Sequence, residues 1–253
     1  MQKIKLDISF IFYSVFIYAA PFAFIWIYEK NMTSQSTQID DPLGAQAAFY
    51  DALSGDKDKL RKGERTRREL MVTCAKFLAT EPFDRLTVSG LCNAAGIAHG
   101  TFYVYFDNLN AILAEVLGQF VDYVQNQMRL AARQGTDPVR DTTAAYYSLF
   151  KSHAGLMKCL VMGMNAFPEA RAAFQHLNNE WATTIVRSLD RQTPRRQSTD
   201  VEMLRRAYAL GGMVDQYLTA LFVSEDPWIA AISRDPDAVI ATLTDIWMKG
   251  MKE

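Results

Sequence analysis

No stretch of the sequence alternates apolar and polar residues over any length, which excludes a core of half-buried strands and leaves helices. Cysteine is scarce. Cys74, Cys92 and Cys159 are the three in 253 residues, too dispersed for metal-ligand spacing, and they suit buried thiols in a reducing compartment. Proline and glycine are thin inside the periodic stretches, as long helices require. Net charge is nearly absent too, with 27 basic residues against 28 acidic ones, so attraction to a polyanion has to be local. There is no nucleophile elbow, phosphate loop, paired metal-ligand set or cofactor glycine motif, and the histidines fall in unrelated contexts. An enzyme, a metal site and a bound cofactor are therefore not expected. With 49 % hydrophobic residues, the chain can fill a small helical bundle and one larger helical domain.

What is present is concentrated between Thr87 and Phe106. Thr87 is a good N-cap, and Val88, Leu91, Cys92 and Ala95 follow at helical spacing to form an inward face. Gly96 stands where the helix must stop in the left-handed conformation. A second short helix over about residues 99–105 has Phe102 and Phe106 for the core and offers His99, Gly100, Thr101, Tyr103 and Tyr105 outward. Ala94, Ala95, Ala98 and Gly100 are small enough for the two helices to cross closely. This is the pattern of a helix-turn-helix, whose second helix enters a DNA major groove. Outward tyrosines fit it, because phenol hydroxyls donate to phosphate oxygens and the rings pack on sugar.

Residues 70–113 resemble the DNA-binding domain of the tetracycline-repressor (TetR) family of bacterial transcription regulators. Leu70-Met71, Cys74, Phe77-Leu78, Phe83 and Thr87-Val88 fill the family's first-helix and loop pattern; Ala95-Gly96-Ile97, Gly100-Thr101-Phe102-Tyr103 and Tyr105-Phe106 fill its recognition signature. The resemblance implies an all-α fold: an N-terminal three-helix DNA-binding domain and a C-terminal helical ligand-binding and dimerisation domain. It places His99, Gly100 and Tyr103 near base edges and Thr87, Thr101, Tyr103 and Tyr105 on phosphates. Three departures stand out: Pro82 replaces a usual glycine, Ala98 a usual serine, and Leu109 a common phosphate-binding lysine. The last implies weaker backbone contact at that point.

Between Lys57 and Arg68 lie seven basic and two acidic residues, a local balance of +5. Such an arm, with Lys57, Arg61, Lys62 and Arg65 as its candidate phosphate contacts, gives salt-dependent affinity for duplex DNA. Ahead of it, Ile8 to Tyr28 carries no charge over 21 residues, and as a helix it would span roughly 32 Å. Lys3 and Lys5 precede the run, whereas Glu29, Lys30, Asp40 and Asp41 follow it. Positive-inside orientation would then put the DNA-binding domain outside the cell. Three readings stay open: Met32 as the true start of a cytoplasmic regulator, an inner-membrane anchor for a membrane-tethered sensor, or a signal peptide. The expected organisation is 1–31 apolar segment, 32–58 flexible polar linker, 59–114 helix-turn-helix domain and 115–253 effector-binding and dimerisation domain.

Beyond the helix-turn-helix, Leu109 to about Arg133 reads as one long connecting helix, with Ile112, Val116, Phe120, Tyr123 and Met128 recurring on one side. Breaks near Gly135-Thr-Asp-Pro138, Phe167-Pro168, Thr193-Pro194 and Asp226-Pro227 predict four or five further helices. This region is stocked with bulky, adaptable side chains, including Tyr146, Phe150, Met157, Met162, Met164, Trp181 and Tyr208. They are candidates to line an apolar effector cavity, with His153, His176 or Asp215 as its polar fixing group. Gly211-Gly212 in the middle of a helix over residues 201–224 suits close approach of another helix or a kink. Val239, Ile240, Leu243, Ile246 and Trp247 form a stripe on a helix over residues 237–251. The resemblance makes these last two long helices a two-fold dimer interface, with Gly211, Gly212, Leu243 and Trp247 as candidate contacts. The expected partners are thus operator DNA, a second copy of the chain and a small apolar effector. Effector binding would alter the separation of the recognition helices through the long helix.

Overall fold

The computed structural model describes residues 42–56, 59–163, 168–192 and 197–252. Among them are eleven α-helices and no strand: α1 (Pro42–Ser54), α2 (Lys62–Thr80), α3 (Val88–Ala95), α4 (His99–Phe102), α5 (Leu109–Gln134), α6 (Pro138–Ser152), α7 (Ala154–Met162), α8 (Pro168–Gln192), α9 (Asp200–Phe222), α10 (Pro227–Ile232) and α11 (Pro236–Met251). A 3₁₀ turn at Phe83–Arg85 links α2 to α3, and Pro82 opens it at φ −59°, a value the proline ring imposes anyway.

Helix starts follow from local chemistry. Three times an aspartate stands directly before a proline: Asp137, Asp226 and Asp235 accept backbone N–H bonds from the first turns of α6, α10 and α11. Each proline occupies the first helical position, where its missing N–H is not needed. The long α5 buries nine side chains, among them Ile112, Val116, Phe120 and Met128, and packs on both α6 and α8. Six helices follow it rather than four or five, because the backbone breaks at His153 and because α10 is a separate short helix.

Residues 42–54 are helical, where the composition suggested linker. Phe49 and Leu53 of α1 are 1 % exposed and pack into the main core, and Gln46 Nε2 donates to the Ser152 carbonyl at 2.6 Å. The outward face of this anchored helix carries Ala47, Ala48, Asp51 and Ala52. A second close fit joins α7 to α2. A Cβ on Gly155 would lie 2.5 Å from the Leu78 carbonyl oxygen and 2.4 Å from that of Ala79, so only glycine lets α7 press on the end of α2.

All three cysteines are buried. Burial pushes the Cys159 thiol up to about 12 and Cys74 higher still. No helix among the described residues is long and apolar enough to cross a membrane. The segment Ile8–Tyr28 and the remainder of residues 1–41 lie outside the described residues.

Candidate functional site

The helix-turn-helix is built as its caps dictate. Thr87 Oγ1 accepts from the Gly90 N–H at 3.0 Å to start α3. Gly96 ends that helix at φ +67°, and the Ile97 N–H returns to the Cys92 carbonyl at 3.0 Å. Leu91 and Cys92 are buried, with Val88 and Ala95 half-buried against the same core. The helical segment after the turn is shorter than expected, His99–Phe102, and Tyr103–Tyr105 continue it as a turn held by Val104 N–H to Thr101 and Tyr105 N–H to Phe102. Ala98, where a serine would cap, makes no side-chain cap bond.

Phe102 is fully buried and anchors this turn, with its ring 5.7 Å from Phe106. The neighbouring residues therefore point outward. Tyr103 is 51 % exposed, and its ring meets His99 edge-on at 5.4 Å. Gly100 faces open space rather than a crossing helix, and Ala94 and Ala98 are exposed too, so close packing at this corner rests on Ala95 alone among the four small residues. Tyr105 is not outward as expected: it is half-buried against the core, with its ring edge beside Gly63 of α2. Thr87 is exposed, Thr101 is half-buried, and Leu109 packs on the core at the start of α5. Sequence reasoning missed Val104, which is 74 % exposed next to Tyr103.

The basic segment divides into two kinds of residue. Arg61, Lys62 and Arg65 are exposed around the start of α2, so the charge sits on a helix and not on an arm. Lys57 lies outside the described residues. Arg67 and Arg68 are structural. Arg67 forms a two-pronged ion pair with Glu115 of α5 and places its guanidinium 4.8 Å over the Phe106 ring. Arg68 donates to the Leu53 carbonyl at 3.0 Å, closing the C-terminal end of α1.

Deeper in the chain, α5, α6, α8, α9 and α11 line a half-open cavity of about 710 Å³. Its walls include Met128, Leu177, Ile185, Leu189, Val214 and Met248, with Trp181 and Trp247 as the large aromatic surfaces. Tyr146, Asn178 and Asp215 supply polar groups on the same wall. Tyr146 Oη donates to Asp215 Oδ1 at 2.8 Å. Burial pushes the Asp215 carboxyl up to about 6, against the opposing pull of the Tyr146 and Asn178 hydrogen bonds.

Of the cavity residues expected from sequence, Tyr146, Trp181 and Asp215 line it. Phe150 and Met157 do not, because both are fully buried in the main core. His153 is buried among Phe49, Phe120 and Tyr123, and its Nδ1 lies 2.8 Å from Ser152 Oγ. Tyr208 is 45 % exposed and donates to Asn179 Oδ1 at the surface. Met164 lies outside the described residues.

The expected dimer contacts also need revision. Leu243 is buried in the core of its own chain, whereas Trp247 packs on that core and lines the cavity while staying half-buried. A Cβ on Gly211 or Gly212 would meet nothing within 4 Å. Neither glycine serves a close approach within the chain, and α9 runs unbroken through both. Gly211 instead lines the cavity, while Gly212 is exposed.

Comparison with known proteins gives consistent relationships. The family profile described as bacterial regulatory proteins, tetR family, matches residues 71–116. The HTH-type transcriptional regulator EthR of Mycolicibacterium smegmatis is 23 % identical over 202 residues, covering 78 % of this chain and 91 % of that protein. EthR of Mycobacterium tuberculosis is 24 % identical over 223 residues, covering 85 % and 95 %. Among solved structures, the fatty acid degradation regulator FadR from Bacillus halodurans superposes with a TM-score of 0.57 at 14 % identity, covering 74 % of this chain and 97 % of that one. FadR from Bacillus subtilis, solved in complex with stearoyl-CoA, gives 0.55 at 15 % identity, covering 73 % and 98 %.

Proposed function

The chain belongs to the tetR family of bacterial regulatory proteins, and from that premise we propose that it is a repressor that binds a palindromic operator as a homodimer and leaves it when a small apolar effector fills the cavity. The observation that carries this reading is the exposed ridge of His99, Gly100 and Tyr103 raised on the buried Phe102. A ridge with open space at Gly100 can approach base edges. Val104 beside it suits a thymine methyl. Thr87, Thr101 and Tyr105 lie in the same helix-turn-helix, and Arg61, Lys62 and Arg65 on α2 add phosphate contacts.

One short recognition segment reads few bases, so two copies related by a two-fold axis are needed to read a palindrome. The face of α9 that carries exposed Ala209 and Gly212, together with exposed Ile246 of α11, suits that pairing. Residues 59–114 act as the DNA-reading head, and residues 115–253 hold the effector and the dimer contacts. Selection from a random duplex DNA library with the purified full chain tests the reading. Enrichment of an inverted repeat is the expected result; no enrichment above the input library would overturn it.

A further inference from the structure

The wall of the cavity carries a carboxylate whose charge no side chain answers. Asp215 accepts hydrogen bonds from the Tyr146 hydroxyl at 2.8 Å and from the Asn178 side chain, both neutral donors. No arginine, lysine or histidine among the described residues forms an ion pair with it. The two lysines on the cavity lining do not fill that role: both are exposed, and Lys249 is already paired with Asp245 at 2.7 Å. A carboxylate on a largely apolar cavity wall is costly unless a cation meets it, and two neutral donors leave acceptor sites on its oxygens unused.

We infer that the effector is a cationic amphiphile, a protonated amine on an apolar body, whose ammonium group pairs with Asp215 while its hydrocarbon part lies against Trp181, Leu177 and Val214. This rests on the cavity being the effector site. Size agrees, because a volume of about 710 Å³ is within the range of small-molecule pockets, which runs to about 1,000 Å³. Chemistry agrees as well. An ammonium group supplies three donors to a site that offers acceptors, whereas a carboxylate head would place two like charges together. An uncharged alcohol could satisfy one lone pair but not the charge.

The test is isothermal titration calorimetry of the full chain at pH 7.5 with decylamine, decan-1-ol and decanoate, each below its aggregation concentration, repeated on Asp215→Asn. Decylamine is expected to bind the native chain at least tenfold more tightly than decan-1-ol. In Asp215→Asn that preference disappears while decan-1-ol binding is unchanged, which also reports that the variant keeps its cavity. Decan-1-ol or decanoate binding the native chain as tightly as the amine would overturn the inference and leave the effector-site reading standing. Retention of the amine preference in Asp215→Asn would overturn it in the same way. Failure of all three probes to bind would overturn both.

Discussion

At the scale of single residues, Asp215 sets a measurable cost. Its carboxyl rises from the ordinary 3.8 to about 6 because burial disfavours the charge. Between those values the folded chain holds a proton that the unfolded chain releases, so stability contributed by this group is complete below about 3.8 and is lost as pH rises through about 6. At neutral pH the ionised carboxylate, which keeps some solvent contact on the cavity wall, therefore costs at most about 3 kcal/mol. Asn keeps the shape and the Tyr146 bond without the charge. Asp215→Asn is expected to stabilise the unliganded protein in urea unfolding at pH 7.5, with the gain shrinking by roughly 2 kcal/mol at pH 4.5. An equal gain at both pH values would show that Asp215 is not ionised at a cost. His153, lowered by burial, loses stability in the opposite direction as pH falls through 6.5, but it is common to both proteins and cancels in the comparison.

At the scale of elements, the segment after the turn is the shortest α-helix among the described residues. It spans His99–Phe102, and Ala98 leaves its first N–H groups without a side-chain acceptor. The backbone at Ala98, φ −69° and ψ 145°, already has the extended form of an N-cap. Ala98→Ser is thus expected to stabilise the protein by about 1 kcal/mol, read as a higher midpoint in thermal unfolding; an unchanged or lower midpoint would mean the hydroxyl does not cap. Local signals of this kind were readable from sequence. Thr87, Gly96 and the Phe102–Phe106 pair act on neighbours within a few positions, and their outcomes needed no knowledge of the rest of the chain. The cavity was readable only in part. Helical spacing marks Phe150, Met157 and Trp181 alike as inward, but which inward face meets a void depends on where other helices lie. The ion pair of Arg67 with Glu115 spans 48 positions, so a run of like charge gave no hint that two of its members were committed to packing. Helix α1 was hidden because its inward face is narrow, with Phe49 and Leu53 as its buried side chains among the described ones.

At the scale of the whole molecule, the DNA-reading head is tied to the larger helical region by several routes. Helix α5 continues from the recognition turn to the cavity, where Met128 lines the wall. The Arg67–Glu115 pair joins α2 to the first turns of α5. Helix α7 presses on the end of α2 through Gly155, and α1 bridges α2 and α6. A ligand that shifts α5, α6 or α8 would therefore move the head through packed contacts rather than through a single lever, provided it binds the two arrangements unequally. All of this serves DNA reading only if the exposed ridge is the part that reads. The most direct measurement is binding of Tyr103→Ala, by fluorescence anisotropy at fixed salt, to the duplex selected by the native chain, with thermal unfolding recorded on both proteins. The expected result is at least a tenfold loss of affinity with an unchanged unfolding midpoint, since Tyr103 is half exposed and is not among the side chains packed against the core. Near-native affinity in that variant would contradict the assignment of the His99–Tyr103 ridge as the DNA-reading surface.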